Sequence, residues 1–129
     1  MDGSGGGESA LKATIADTLD VLSWEIELAA ARSIYLDSVI GQMIGLLPEE
    51  RKAEFLESMH IVDLLSQQLT GLSAFSRKMS GDVPDVSAHV HTALGQITLG
   101  ALADRMCVAL GGTEKGLNDG EGAGDLDLL

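Results

Sequence analysis

A chain of 129 residues has room for one domain with tails. Alanine and leucine supply most of the apolar residues, and Trp24, Tyr35, Phe55 and Phe75 are the only aromatics, so the composition predicts an all-α fold and excludes a many-stranded one. A formal net charge of −12 excludes nucleic acid and anionic membrane surfaces as partners, and leaves room for a protein with a basic rim.

The N-terminus, residues 1–8, is glycine-rich and has neither a basic n-region nor an apolar h-region, so it reads as a flexible lead and not a signal peptide. Helical periodicity then begins near Ser9 and continues to Leu47. Ile15, Leu19, Leu22, Ile26, Ala29, Ser33, Leu36, Ile40, Met43 and Leu47 follow alternating steps of four and three residues, a heptad seam that predicts one long helix packed at a shallow angle. Trp24 and Tyr35 lie off this seam, placed to cover a neighbouring helix or an interface. Pro48 followed by Glu49 and Glu50 marks a break and a new helix start, because proline suits the first turn and the acids complement the positive end of the dipole.

The second helix is expected from Pro48 to Met79. Phe55, Val62, Leu65, Leu69 and Leu72 form its apolar arc. Asp63 and Gln67 project away from that arc, stacked at i and i+4, together with Leu56, His60, Thr70 and Ala74. A mixed face of this kind offers apolar contact on either side of a polar pair, which suits docking. Ser80-Gly-Asp-Val-Pro84 ends the helix. A third, largely buried helix is expected from Pro84 to Leu110, stopped by Gly111-Gly112. The bundle domain therefore spans 9–110. A seam about forty residues long, roughly 60 Å, outruns the cover three helices of one chain provide, and this predicts a homodimer with a longer bundle.

The apolar run from Ile97 to Leu110 is interrupted by Asp104 and Arg105, so no membrane span is expected. A single cysteine, Cys107, sits in an apolar stretch; it reads as core, and the chain as cytoplasmic. His89 and His91, two apart on the expected third helix, would point to different faces and make no metal site. His60 lacks the context of a phosphotransfer histidine, since Asp63 stands where a phosphate would arrive. Beyond the bundle, 111–124 is a glycine-rich acidic linker and 125–129, Asp125-Leu126-Asp127-Leu128-Leu129, a short peptide with three leucines.

An acidic helical hairpin bearing Asp63-Leu-Leu-Ser-Gln67 on an exposed face resembles the CheZ family, phosphatases of the chemotaxis response regulator CheY. It is similar in particular to the small CheZ-related proteins of rhizobial chemotaxis operons, known as CheT. The terminal 125–129 peptide on its linker resembles the tethered CheY-docking segment of the same family. The resemblance implies a dimeric four-helix bundle that inserts the pair into the phosphorylated aspartate site of a CheY-like regulator. Gln67 would orient the attacking water, and Asp63 would hold the regulator's active-site lysine. Mg²⁺ would come from the regulator, with no cofactor bound by this chain.

The family's acid and amide bracket a Leu-Thr-Gly-like segment, whereas here Leu69-Thr70-Gly71 is preceded by Gln68 and followed by Leu72. Taken in that register the chain becomes a non-enzymatic adaptor joining the regulator to other chemotaxis proteins, the receptor-modifying enzymes included.

Overall fold

The computed structural model describes residues 11–112. Their order is β1 (Lys12–Thr14), α1 (Ile15–Ile44), α2 (Glu49–Asp82), β2 (Ser87–His89), α3 (His91–Leu94) and α4 (Gly100–Ala109). The fold is mostly helical, and the two long helices pack together, as the composition leads one to expect. The described residues fall into two compact units, one reaching up to Leu22 and resuming at Arg77, the other Ser23–Ser76. Residues 1–10 and 113–129 lie outside the description, and with them most of the expected linker and all of the 125–129 peptide.

In the first unit, β1 and β2 pair antiparallel in the register Lys12↔His89, Ala13↔Ala88 and Thr14↔Ser87. Two further bonds continue the ribbon: the Ile15 amide donates to the Val86 carbonyl at 2.8 Å, and the Val90 amide to the Leu11 carbonyl at 3.0 Å. The ribbon sets where α1 begins. Thr14 is its cap, accepting the Asp17 amide on Oγ1 at 2.9 Å, and Asp17 adds an acid to the first turn. The helix therefore starts at Ile15 and not near Ser9, because Lys12–Thr14 are engaged as a strand.

The expected third helix is replaced by several short elements. Val86 and Val90 flank β2, where β-branched residues fit extended backbone. Gly95 follows α3, and a Cβ there would stand 3.3 Å from the Thr92 carbonyl oxygen, closer than most side chains tolerate. Only α4 remains of a long helix. Ala13, Val90, Leu94, Met106, Cys107 and Leu110 form the apolar cluster of this unit, with Leu11, Val21, Ile97 and Leu102 packed against it. After α4, Gly111 takes φ +102° and the Gly112 amide donates back to the Cys107 carbonyl at 2.8 Å, a left-handed helix stop.

In the second unit, α1 and α2 form a hairpin. Near one end Ser73 Oγ donates to the Ser23 carbonyl at 2.9 Å; near the other, a Cβ on Gly41 would rest 3.5 Å from Met59 Cε. These two contacts make the helices antiparallel. Pro48 opens α2, its carbonyl accepting the Arg51 amide at 3.0 Å.

The line of contact is a heptad seam, but its register differs from the expected one. Ser23, Ile26, Ala30, Ser33, Asp37, Ile40 and Ile44 are buried or half-buried along α1. Phe55, Met59, Val62, Ser66, Leu69, Ser73 and Ser76 are their counterparts on α2. Ile26, Ser33 and Ile40 belong to both registers. Ala29, Leu36 and Met43, expected in the seam, are exposed; so are Leu65 (43 %) and Leu72 (53 %). At Ser23 and Ser73 the seam is narrow enough for a side-chain hydroxyl to reach the facing backbone, while Ile26, Ile40, Phe55, Val62 and Leu69 fill it elsewhere.

Glycine energetics give a paired test. Gly71 lies within α2 with nothing within 4 Å of a Cβ, so Gly71→Ala should raise the unfolding free energy by about 0.5–1 kcal/mol in urea titrations. Gly111→Ala should lower it by about 1 kcal/mol or more, because its φ suits glycine alone.

Candidate functional site

Asp63 and Gln67 lie mid-way along α2, and the seam fixes their direction. With the buried line at heptad positions a and d, Asp63 falls at e and Gln67 at b, on one flank of the hairpin. Leu56 and Thr70 share the e positions, and His60 and Ala74 the b positions. All six are exposed, and the structure brings them into one strip along α2. Ser66, one residue before Gln67 and turned about 100° from it, lies in the seam and donates from Oγ to the Asp63 carbonyl at 2.8 Å. The buried side of this turn is thereby tied down while its other side faces out.

The pair is joined by a side-chain hydrogen bond. Gln67 Nε2 donates to Asp63 Oδ2 at 2.8 Å. A carboxylate only accepts, so the amide must offer it the NH₂ end, and Oε1 turns away as a free acceptor. Gln…Asp pairs at this spacing stabilise helices by a few tenths of a kcal/mol, which was the signal available in the sequence. Two consequences follow for chemistry. The bond leaves Gln67 Oε1 to accept a hydrogen bond from water, and Asp63 Oδ1 as a second acceptor.

The other register behaves differently. Thr70 lies on the Asp63 strip, but Gln68 falls at position c and Leu72 at g, on the opposite flank of α2. Gln68 and Thr70 therefore address different sides of the hairpin. Tail residues Asp125, Leu126, Asp127, Leu128 and Leu129 lie outside the described residues.

His89 ends β2 and His91 opens α3, so they are not the two helical histidines expected from the sequence. Among the described residues, no group of three or more His, Cys, Asp and Glu side chains could hold a metal ion. Nor is any helix among them long and apolar enough to cross a membrane. Cys107 is a buried thiol within the apolar cluster of the first unit. Sequence reading passed over Asp104, which is buried at 4 % exposure, with neither carboxylate oxygen meeting a hydrogen-bond partner among the described residues.

Residues 11–129 match the family model described as "Domain of unknown function (DUF8776)". The chain belongs to that family. No curated protein and no solved structure matches it.

Exposure makes the pair cheap to alter. Asp63→Ala and Gln67→Ala should each change the unfolding free energy by less than about 0.5 kcal/mol, measured by urea titration with unchanged far-ultraviolet circular dichroism. A larger loss would mean that the strip supports the fold.

Proposed function

We propose that this chain binds a phosphorylated CheY-like response regulator and accelerates hydrolysis of its aspartyl phosphate. The observation that carries the reading is the Gln67–Asp63 hydrogen bond on an exposed helical strip, which leaves an amide oxygen beside an unspent carboxylate oxygen. Hydrolysis of an acyl phosphate is mostly a matter of positioning and charge. Gln67 Oε1 accepts a hydrogen bond from a water and aims it at phosphorus, in line with the bond to the regulator's aspartate. That bond breaks, leaving the aspartate carboxylate and inorganic phosphate. Asp63 Oδ1 takes the regulator's lysine ammonium and fixes the docked geometry. Mg²⁺ belongs to the regulator, so no cofactor is asked of this chain. The 125–129 peptide, on its linker, supplies a second contact and raises the regulator's effective concentration at the strip. The setting is cytoplasmic.

A homodimer completes the reading. Within the Ser23–Ser76 unit the buried residues are Ser23, Ala30, Ser66, Ser73 and Ser76, with no large side chain among them. Such a hairpin gains little from burial against the entropy of ordering. Leu36 and Met43 of α1, and Ile61, Leu65, Leu72 and Phe75 of α2, fall at the c and g positions. All six are exposed, on the flank away from Asp63. A second hairpin laid on this flank makes a four-helix bundle and leaves the Asp63–Gln67 strip open.

The adaptor reading draws support from Thr70 and Gly71, which are exposed beside the pair without the expected acid and amide around them. It holds the regulator and receptor-modifying enzymes together, and it needs no catalysis.

Three measurements separate these possibilities. Decay of the phosphorylated regulator should be faster with wild type and return to the intrinsic rate with Gln67→Ala, while binding is kept. Equal rates for the two proteins would remove Gln67 from the reaction and favour the adaptor. Deleting 125–129 should weaken regulator binding at least several-fold; unchanged affinity would dismiss the second contact. Light scattering at micromolar concentration should give a dimer, and Leu65→Lys with Leu72→Lys a monomer of reduced helicity. A monodisperse wild-type monomer would contradict the bundle.

A further inference from the structure

The apolar flank at the c and g positions has a symmetry of its own. On α2, Gln68 stands at its centre, with Leu65 three residues before it, Leu72 four after it, and Ile61 and Phe75 seven to either side. All five are exposed. In reverse order the stripe is nearly unchanged: large apolar, leucine, glutamine, leucine, large apolar. Two copies related by a twofold axis present the same patch to each other, so a stripe alike in both directions fits a second α2 laid antiparallel on it.

The same flank of α1 carries Glu25, Ala29 and Arg32 at c, g and c. Ser23 is level with Ser73, and Gly41 with Met59. Interpolating between these points at about 1.5 Å per residue brings Ala29 level with Gln68, to within about a turn. A twofold axis crossing the hairpin there passes Ala29, whose small side chain lets two α1 helices close up. It also carries Arg32 of each copy to the partner's Glu25, an opposite charge. Arg32 is exposed and makes no ion pair among the described residues. Glu25 already takes part in an interaction within this chain, and a carboxylate has lone pairs for a second donor.

We infer that the homodimer is antiparallel about a twofold axis crossing the hairpin at Ala29 and Gln68, with α1 packed on the partner's α1 and α2 on the partner's α2. This rests on the dimer reading above and not on the phosphatase chemistry. The other symmetric choice, an axis running along the bundle, sets α1 against the partner's α2. Arg32 would then meet the partner's Leu65 and Gln68, and Glu25 the partner's Leu72 and Phe75, so neither charge finds its opposite and both lose water.

The antiparallel choice pairs charge with charge on α1 and leucine with leucine on α2. The two copies of Gln68 meet at the axis, where each amide offers a donor and an acceptor to the other. Burial of Ile61, Leu65, Leu72 and Phe75 from both copies supplies the apolar area that the Ser23–Ser76 unit does not bury by itself. One Asp63–Gln67 strip stays open on each outer side of the bundle.

The test uses the full-length chain in a Cys107→Ser background. Ala29→Cys should form an intermolecular disulfide under mild oxidation at micromolar concentration, and Gln68→Cys should do the same on α2. Leu36 lies seven residues from the axis, so its two copies stand about 20 Å apart and Leu36→Cys should stay uncrosslinked. Arg32→Glu should weaken dimerisation about tenfold or more in sedimentation equilibrium, by setting like charges against the partner's Glu25. Gln42→Glu, on the outer back of α1, should leave it unchanged, with matching circular dichroism for all variants.

A wild-type dimer in which Ala29→Cys and Gln68→Cys stay uncrosslinked, or Leu36→Cys crosslinks efficiently, would overturn the antiparallel arrangement and leave the dimer standing. A wild-type monomer would remove the dimer and this arrangement together, and assign the flank to a partner other than a second copy.

Discussion

The narrow seam between α1 and α2 is the constraint on which the rest depends. Ser23, Ala30, Ser66, Ser73 and Ser76 are its buried members, and the Ser73 hydroxyl bonds across it to the Ser23 carbonyl. Small side chains bring two helices close and contribute little hydrophobic free energy, since each buries little apolar area. What they contribute is phase. Once the buried and half-buried residues define the a and d positions, every other residue of the Ser23–Ser76 unit is assigned a direction.

From that phase come two unlike flanks. One carries Leu36, Met43, Ile61, Leu65, Leu72 and Phe75, apolar and exposed. The other carries the hydrogen-bonded Asp63 and Gln67 with His60, Thr70 and Ala74, beside the exposed Trp24, Ile34 and Leu56. A hairpin that buries no large residue and leaves apolar side chains exposed suits a partner laid on it. Function as proposed uses both: rigidity from a second copy on the first, and a hydrogen-bonded amide presented by the second. Neither role needs a tuned pKa, a nucleophile or a metal from this chain.

The parts of the fold that were legible in the sequence are those written locally. Helix content, the Pro48 break, the glycine stop at Gly111-Gly112 and the outward direction of Asp63 and Gln67 all follow from spacing and capping chemistry. The seam was half legible. Ile26, Ser33 and Ile40 on α1, and Phe55, Val62 and Leu69 on α2, lie where the sequence puts them; Leu36, Met43, Leu65 and Leu72 do not, because the small seam residues Ser23, Ala30, Ser66 and Ser73 give periodicity no apolar signal to follow. Long-range pairing was invisible: Lys12–Thr14 become a strand only because Ser87–His89 lie beside them. An apolar run over Pro84–Leu110 looks helical until that pairing and Gly95 divide it. The Gln67–Asp63 bond could have been read from i,i+4 spacing.

The register itself is the claim to test most directly. In a Cys107→Ser background, Ser23→Cys with Ser73→Cys should form an intramolecular disulfide under mild oxidation, because the two backbones meet at that level. Leu36→Cys with Leu65→Cys, on the outer flank, should give no intramolecular bond. Efficient crosslinking within one chain at Leu36 and Leu65, and none at Ser23 and Ser73, would restore the leucine seam. That outcome would rotate Asp63 and Gln67 out of the face described above and contradict the account.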